Sequence, residues 1–516
     1  IVTHDGGVMV TLNGGETWST PFTQPTQQAY RLEVDNQFPY NLYGNNQDLI
    51  GYKVPSASIY GGISQAEVTV IGSGESGASV PHPSKPDIVY HLAQSTFAAG
   101  GCPIQRVNLK TGQWEHRNVW PMPTFGEGQN KAKYRFNWHA PIVIDPFNED
   151  IIYTAAEVVF RSNDEGMAWE VISPVLTKDD ESKQQAGGSP SSLETSGQEA
   201  YNTIHRMVAS KVKKGILWTG SDDGLVHVTR DGGKSWENVT PSDMPEDTDV
   251  YELEASPHDA GTVYVAASRY RTANDFLPYL WKTTDYGKTW VNLSKNFPQT
   301  EITRTIREDT VRKGMLFVGT ETGVFISFDD GVNWKRLNLN LPAVPVHDMK
   351  IKDEDLCIAT FGRSFWILDD ISPLRQWDEK YRKQTSHLFK PRTHTRLGIN
   401  WWALYGGGVG GGQKNYFVQN GRMGHTFYEL GIVNGERKRK YLDAGGARPY
   451  GAIIHYWLGE DAKDVSLSIL DENDQLIKTY KGDVLSQEAG LNRTIWDMNY
   501  PDAIAVPGKP APGIIV

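Results

Sequence analysis

The sequence predicts an all-β chain in which a β-propeller of about seven blades, over residues 1–370, precedes a second, smaller β domain. Two observations predict this fold. A short phrase with a turn at its centre recurs five times, and such a repeat indicates a modular array whose units bury their apolar faces against their neighbours. The composition, with 51 Gly, 16 Trp and 23 Tyr and no long helical periodicity, favours short strands joined by tight turns.

The repeated phrase is a hydroxyl residue, Asp or Asn two positions later, Gly two positions after that, and Trp three positions further on. Its copies are 11–18, 162–169, 229–236, 283–290 and 327–334. The Asp or Asn side chain can bond its own backbone and the Gly accepts a positive φ, so the phrase predicts a hairpin turn followed by a core Trp. We expect a structural role for its defining residues: Asn13, Trp18, Asp164, Trp169, Asp231, Trp236, Asp285, Trp290, Asp329 and Trp334.

A second element precedes each phrase, consisting of a polar turn and an apolar strand that ends in Tyr, as at Tyr90, Tyr153 and Tyr264. Four strands then fit each unit, as in a propeller blade. The predicted blades span 29–75, 80–120, 136–174, 202–240, 249–294 and 303–338. A seventh is shared between the two ends, with inner strands from 346–370 and outer strands from 8–22. The alternative is a second propeller in sequence upstream of Ile1.

The pattern changes after residue 370. Residues 371–392 are charged and lack the phrase, which indicates a linker or a short helix. The glycine run 406–412 lacks the Lys-Ser/Thr of a phosphate loop and indicates a flexible loop. Alternating strands return at 452–457, 465–470, 475–480 and 490–497. We therefore expect a small β-sandwich over 393–516, incomplete at its C-terminal end.

The five phrases resemble the Asp boxes, also called BNR repeats, of sialidases, sortilin-type receptors and oligoxyloglucan-specific glycosidases. A wider resemblance, to exported bacterial sortilin-like or "glycosyl hydrolase" BNR proteins, covers nearly the whole chain and is carried by 134–138, 220–224, 280–285 and 361–370. In that superfamily the box is a structural lock far from the ligand. The resemblance implies a secreted, periplasmic or cell-surface protein and an immunoglobulin-like sandwich over 393–516.

Charge and composition exclude several classes of partner. The net charge of -11 and the lack of a basic stripe argue against nucleic acid, and no apolar run reaches transmembrane length. The phrase lacks the further acidic ligands and the terminal Glu of a calcium loop, so we predict no metal site and no cofactor. Cys102 and Cys357 either pair or stay free. The chain opens at Ile1 without Met or a signal peptide, and we expect residues upstream.

Topology predicts where a ligand binds. If the strands of a blade run from a (inner) to d (outer), the a–b turns and the phrases share one face, and the b–c and d–a loops surround the channel mouth on the other. Polar and aromatic residues of those loops are Asn46, Gln47, Arg135, Trp138, His205, Arg269, Tyr270, Arg304, His347 and Arg363. This mixture suits a carbohydrate or a peptide. The long loop 173–203 is either a mobile lid or a surface insert.

Structural roles compete with these ligand-binding roles. Trp138 is either a core residue or a sugar platform, and Arg363, beside Phe361 and Trp366, is either a ligand contact or a cation–π strut. The three histidines of these loops, His139, His205 and His347, are scattered in sequence and are not expected to bind zinc.

Three functions remain open. The favoured one is binding of a glycan, peptide or partner protein by an exported propeller. Glycoside hydrolysis needs two carboxylates around one bond, for which the candidates are Asp48, Glu157, Asp222, Asp223 and Glu321, although 222–224 also suits an ordinary b–c turn. The sialidase Phe-Arg-Ile-Pro motif is absent, and only one propeller is visible where the oligoxyloglucan enzymes use two. The third possibility is a structural subunit of an outer-surface assembly.

Overall fold

A computed structural model describes most of the chain. The described residues are 1–4, 7–18, 26–47, 50–58, 62–64, 67–74, 77–92, 102–122, 128–185, 200–337, 339–396, 427–433, 436–441, 444–446, 448–449 and 451–501. They form two compact units. The first contains Ile1–Ala57 and Gln65–Asp369, and the second contains Ser58–Ser64 and Asp370–Val516.

In its described residues, the first unit contains seven antiparallel sheets of three or four strands, here called blades 1 to 7, whose strands, lettered from a, follow one another in chain order. Blade 1 is Glu33–Val34, Asn41–Asn45, Ile50–Pro55 and Thr69–Ser73; blade 2 is Ser79–Pro81, Ile88–Leu92, Ile104–Asn108 and Gln113–His116; blade 3 is Ile142–Ile144, Ile152–Ala155, Val159–Ser162 and Glu170–Val171; blade 4 is Ile204–Ala209, Leu217–Ser221, Val226–Thr229 and Glu237–Asn238. Blade 5 is Asp249–Ala255, Val263–Arg269, Asp275–Thr283 and Val291–Asn292; blade 6 is Thr303–Glu308, Leu316–Thr320, Val324–Ser327 and Lys335–Arg336; blade 7 is Val346–Lys352, Asp355–Thr360 and Phe365–Leu368. The predicted all-β propeller is confirmed.

The blades form a closed ring because blade 1 packs on blade 7. Buried Leu32 and Leu42 share one core with Cys357 and Ala359. The backbone N–H of Leu32 donates to Asp348 Oδ2 at 3.1 Å across the same boundary. The a strands of neighbouring blades lie against each other around the centre, so strand a is the innermost strand. Between blades, the apolar faces of adjacent sheets supply the core.

The predicted outer strand of blade 7 is wrong for the described part of the chain. Val2–His4 pairs with Gly7–Met9 as a separate two-stranded sheet, and the described strands of blade 7 end with Phe365–Leu368. The reason is local, because Val2–His4 and Gly7–Met9 pair with each other, with His4 opposite Gly7. Both cysteines are buried and unpaired, Cys102 just before strand c of blade 2 and Cys357 in strand b of blade 7.

Each copy of the phrase is locked by side-chain hydrogen bonds. In the third copy, Thr229 Oγ1 donates to Asp231 Oδ1 at 2.9 Å and accepts from the N–H of Gly233 at 2.9 Å, while the N–H of Ser235 donates to Asp231 Oδ1 at 3.0 Å. Gly233 has φ of +95°, which suits glycine. The same three bonds recur in the other four copies.

The phrase Trp joins neighbouring blades. The indole N–H donates to a backbone carbonyl that follows strand d of the preceding blade, at 3.1 Å from Trp169 to Arg117, 2.9 Å from Trp236 to Ile172 and 2.7 Å from Trp290 to Val239. In the first copy, Trp18 donates to Gly15 of its own phrase and is 41% exposed. In the last copy, Trp334 contacts Phe297 edge-on at 5.2 Å between ring centroids. The phrase is therefore both a turn lock and an inter-blade clamp.

Charged side chains fill the centre of the ring. Glu252 of blade 5 accepts from Arg206 Nε of blade 4 at 2.6 Å and from Arg307 of blade 6 at 2.9 Å, and it lies 3.5 Å from Arg31 ahead of blade 1. Arg307 also pairs with Asp348 of blade 7. Burial opposes ionisation of Glu252, but the charges of Arg206 and Arg307 outweigh it and lower the pKa of this carboxyl. We call these five residues the central charge network.

The second unit also consists mainly of strands. Ser386–Leu388, Ala452–Leu458 and Gly490–Trp496 form a three-stranded antiparallel sheet; Phe427–Val433 pairs with Glu436–Tyr441, Ser466–Leu470 with Leu476–Lys481, and Gly62–Ile63 with Gly445–Gly446. Its helices are Ser372–Gln376, Glu379–Lys383 and Gly482–Val484. The segment 371–392, expected to be a linker or a short helix, thus contains two of these helices and a strand of the main sheet. The glycine run 406–412 lies outside the described residues.

Among the described residues of the first unit, the helices are short: Gln129–Lys131, Glu181–Lys183, Tyr270–Ala273 and Ser294–Asn296. A helix with the length and apolar character needed to cross a membrane is not found in the described part of the chain.

Replacing Trp290 by Phe tests the inter-blade clamp. The ring remains but its N–H no longer reaches Val239, which leaves a partly buried carbonyl unpaired, and we expect a loss of about 1–3 kcal/mol in the free energy of unfolding. The matched control is Trp114→Phe, because Trp114 is 54% exposed on strand d of blade 2. Equal losses in thermal or urea unfolding of the two variants would refute the clamp.

Replacing Glu252 by Gln tests the central charge network. The variant leaves Arg31, Arg206 and Arg307 without their shared carboxylate, and breaking a buried ion pair from one side costs about 3–5 kcal/mol of unfolding free energy. Glu237→Gln is the control, since Glu237 pairs with Arg230 on the exposed surface and such pairs contribute about 0–1 kcal/mol. A small loss for Glu252→Gln in a urea titration would contradict the network's structural role.

The phrase carboxylates predict a dependence on pH. The Thr289 hydroxyl and N–H donate to Asp285 and lower its pKa to about 2. A carboxylate with a depressed pKa stabilises the folded chain above its unfolded pKa of about 4 and loses this effect as the pH falls through about 2. We expect Asp285→Asn to lower the melting temperature near neutral pH, and the difference to shrink as the pH falls from about 4 to about 2. A difference that is independent of pH would rule out the ionised carboxylate as its source.

Candidate functional site

Six rings form a closed circuit at the end of the inner strands that carries the b–c and d–a loops, here called the mouth. Successive ring centroids lie 4.5 Å (Tyr30–His139), 5.8 Å (His139–His205), 5.0 Å (His205–Tyr251), 5.8 Å (Tyr251–His347), 4.4 Å (His347–Phe361) and 5.5 Å (Phe361–Tyr30) apart. We call these six residues the mouth ring. They meet because each stands where an innermost strand begins or where strand b of blade 7 ends.

The mouth ring contains polar nitrogens that the described residues leave without partners. His205 Nδ1 lies 2.7 Å from Asp249 Oδ1, and Tyr251 Oη lies 3.2 Å from His347 Nδ1. The Nε2 atoms of His139 and His205 are buried and have no hydrogen-bond partner in the described part of the chain. Burial, followed by the charges of nearby arginines, holds the pKa of His139 and His347 well below the ordinary value, so both rings are neutral near pH 7.

Arginines stack against the tyrosines of the mouth. The Arg304 guanidinium lies 4.4 Å from the Tyr270 ring centroid and 5.4 Å from that of Tyr251, and it pairs with Glu321. Arg31 lies 4.9 Å from the Tyr251 centroid on the inner side. The mouth therefore combines tyrosine rings with guanidinium groups, and these are paired with carboxylates.

Two of the candidate carboxylates hold the loop before blade 4. Asp222 accepts from the Thr203 N–H at 2.9 Å and the Thr203 hydroxyl at 2.6 Å, and Asp223 accepts from the Lys178 N–H at 2.8 Å and from Asn202 Nδ2 at 2.7 Å. Asp222 is 7% exposed and Asp223 is fully buried. Burial raises the pKa of Asp222 well above its ordinary range. These bonds make the two residues anchors of the d–a loop.

The other described candidate carboxylates are also engaged. Glu157 accepts from the Arg135 N–H at 2.7 Å and is buried, which raises its pKa. Glu321 pairs with Arg304. Asp48 lies outside the described residues. Each described candidate thus bonds to a neighbouring loop of its own face.

The remaining rim residues divide into anchors and exposed groups. Asn46 Oδ1 accepts from the Gln28 N–H at 2.7 Å, Gln47 bonds to the Tyr30 hydroxyl, Arg135 pairs with Asp179 at 2.6 Å, and Arg269 pairs with Asp275 at 3.0 Å. Trp138 and Tyr270 are half-buried, whereas Arg363 is exposed. The described cation–π contacts do not include Arg363, whose carbonyl instead accepts from the Trp366 indole at 2.9 Å. The part of loop 173–203 that would test a lid, 186–199, lies outside the described residues.

Sequence reasoning missed Tyr30, Tyr251 and Phe361 and did not join the three histidines. A signal was present: a ring residue, a charged residue and an apolar residue stand together at the inner strands of four blades. These triplets are Tyr30-Arg31-Leu32, His205-Arg206-Met207, Tyr251-Glu252-Leu253 and His347-Asp348-Met349. The first member joins the mouth ring, the second the central charge network and the third the buried core.

One group in the described residues has the spacing of metal ligands, and it lies away from the mouth. Atoms of His82, Asp150 and Glu165 come within 4.8 Å of one another. Lys85 pairs with Asp150 at 3.7 Å and with Glu165, and Arg106 pairs with Glu165 at 2.9 Å. These cations already neutralise the carboxylates, so the cluster is an ion-pair network between the turns of blades 2 and 3.

Comparisons with known proteins give structural likenesses at low identity. No protein-family profile matches the chain, and no curated protein sequence matches it significantly. A GH74 xyloglucanase from Xanthomonas campestris is similar over 67% of this chain and 52% of its own, with 13% identity and a TM-score of 0.45. A GH74 enzyme from Niastella koreensis is similar over 67% and 54%, with 15% identity and a TM-score of 0.45. YCF48 from Cyanidioschyzon merolae is similar over 67% and 96%, with 9% identity and a TM-score of 0.43. The chain spans about half the length of the two GH74 enzymes.

Proposed function

We propose that the chain is an exported or cell-surface β-propeller of the BNR/Asp-box kind that binds a glycan, peptide or partner protein at the mouth ring. The observation that carries this proposal is the mouth itself: a closed circuit of aromatic and imidazole rings, flanked by stacked arginines. Antiparallel strands put the phrases of blades 3 to 6 at the end opposite the b–c and d–a loops, so the proposed ligand face is separate from these structural clamps. The second unit then serves as an immunoglobulin-like spacer.

Binding is favoured over hydrolysis by the state of the carboxylates. Hydrolysis by two carboxylates needs one that stays free to act on water or on the sugar. Asp222, Asp223 and Glu157 instead accept hydrogen bonds from neighbouring loops, and Glu321 pairs with Arg304. One feature favours the alternative: burial raises the pKa of Asp222 and Glu157, as a general acid requires. A structural role in a surface assembly is compatible with the same mouth.

Phe361→Ala tests the binding site. Phe361 is half-buried in the mouth ring and stacks on His347, so its removal takes away a contact face for the ligand. The full chain is first screened on a glycan array and a peptide library, and the strongest hit is titrated. We expect Phe361→Ala to weaken binding about tenfold, which is about 1.4 kcal/mol.

The matched control is Phe147→Ala, since Phe147 is 46% exposed on an a–b turn at the other face. Equal binding by the wild type and Phe361→Ala, at unchanged melting temperature, would remove the mouth as the site. Release of reducing sugar that is abolished by Asp222→Asn or Glu321→Gln would instead establish the hydrolase.

A further inference from the structure

Strand c of blade 7 is less covered than its counterparts in the other blades. Among the described residues, Phe365–Leu368 pairs with strand b alone, whereas strand c of blades 1 to 6 also pairs with a strand d. All four residues of Phe365–Leu368 are half-buried. The corresponding strands of blades 4 and 6, Val226–Thr229 and Val324–Ser327, are buried throughout. Blade 7 therefore presents a sheet edge where the other blades present a covered strand.

Two residues of this strand turn their backbone groups outward. The Ser364 carbonyl accepts from the Thr360 N–H at 3.1 Å, so the backbone of Ser364 faces strand b. Because successive residues of a strand direct their N–H and C=O groups to opposite sides, Phe365 and Ile367 face away from strand b. These outward groups have no hydrogen-bond partner in the part of the chain that the structure describes. We call Phe365 and Ile367 the open edge.

Blades 3, 4 and 5 show what such an edge accepts. In each, the strand c residue at the position of Phe365 is bonded by two consecutive residues that follow strand d. The first is apolar, and its N–H donates to the strand c carbonyl at 2.8–2.9 Å, from Ile172 to Val159, from Val239 to Val226 and from Leu293 to Leu280. The second has a hydroxyl that accepts from the strand c N–H, at 2.8 Å for Ser173, 2.9 Å for Thr240 and 2.7 Å for Ser294. An apolar residue followed by Ser or Thr therefore satisfies both groups.

The turn beside the open edge adds a charge. In blade 6, Arg336 of strand d lies over the b–c turn, where its guanidinium donates to Thr322 Oγ1 at 2.9 Å. Arg336 directly precedes Leu337, the apolar residue of that strand. In blade 7 the b–c turn carries Arg363, which is exposed and has no carboxylate partner among the described residues. An acidic residue placed ahead of the apolar one would therefore lie within reach of a complementary charge.

We propose that the open edge of blade 7 binds an extended peptide of a partner protein, in which an acidic residue, an apolar residue and Ser or Thr follow one another. The peptide adds a fourth strand to the blade. Main-chain hydrogen bonds to Phe365 and Ile367 give the affinity, and the three side chains give the specificity. This site is separate from the mouth ring and goes beyond the proposed function.

The probe is a fluorescein-labelled peptide that copies 235–241 of this chain, Ser-Trp-Glu-Asn-Val-Thr-Pro, with the change Asn238→Asp. It is titrated into the full chain by fluorescence anisotropy, and amide hydrogen exchange of the chain is measured with and without it. We expect saturable binding that slows exchange in the segment 363–369. Exchange in 224–230 should not change, because strand c of blade 4 is already covered by its own strand d.

Two altered peptides test the hydrogen bonds to Phe365. Methylation of the peptide's Val239 nitrogen removes the donor for the Phe365 carbonyl, and Thr240→Val in the peptide removes the acceptor for the Phe365 N–H. We expect each change to weaken binding about tenfold.

A charge reversal tests the role of Arg363. We expect Arg363→Glu in the full chain to weaken the Asp-containing peptide about fivefold and to tighten a peptide that carries Asn238→Lys instead. Arg230→Glu is the control, because Arg230 is an exposed arginine beside the covered strand c of blade 4 and should leave both affinities unchanged.

Absence of binding, equal binding of the N-methylated peptide, or slower exchange only outside 363–369 would overturn the proposal. The same effect of Arg363→Glu on the Asp and Lys peptides would overturn the acidic position. A dimer of the chain, detected by light scattering, that slows exchange in 363–369 and excludes the peptide would overturn the peptide in favour of a second copy. None of these results depends on the mouth, which is tested separately by Phe361→Ala.

Discussion

The buried carboxylate of Glu252 requires compensation, because moving a charge out of water costs several kcal/mol unless partners replace the lost hydration. Arg206 and Arg307 supply it from the blades on either side, and Arg31 supplies it from the start of the ring. Arg307 is shared with Asp348 of the last blade. The first and last blades are therefore tied to the same central charge, and closure of the ring depends on a network that no single blade contains.

The mouth follows from this network. His205, Tyr251 and His347 each directly precede a member of the charge network, so fixing the charge also fixes the ring residue next to it. Core residues on the far side of the same strands, such as Leu253, complete the constraint. The position of the candidate site is thus set by the central charge network and by the core packing of the inner strands, and not by contacts among the loops alone.

The sequence reveals the fold because its signals are local. The phrase around Asp231 carries its own turn chemistry within eight residues, and its hydrogen bonds form as that chemistry requires. In the mouth ring, His139 contacts Tyr30 and His205, which are far from it in sequence. No local sequence pattern predicts these contacts. The same holds for Asp222, whose position after a strand is readable but whose bonds to Thr203 depend on how two loops pack.

The two ends of the blades are built by different means, and this difference bears on function. At the phrase end, clamps such as that of Trp290 use backbone carbonyls as acceptors, so the residue that supplies the carbonyl can vary without loss of the bond. At the mouth, the contacts between successive rings are made by side chains. A substitution there, for example at Phe361, changes the exposed surface of the ring while the residues of the clamps and of the central charge network are unchanged. On the proposed function, the mouth is therefore the face on which a ligand preference could change at the least cost to the fold.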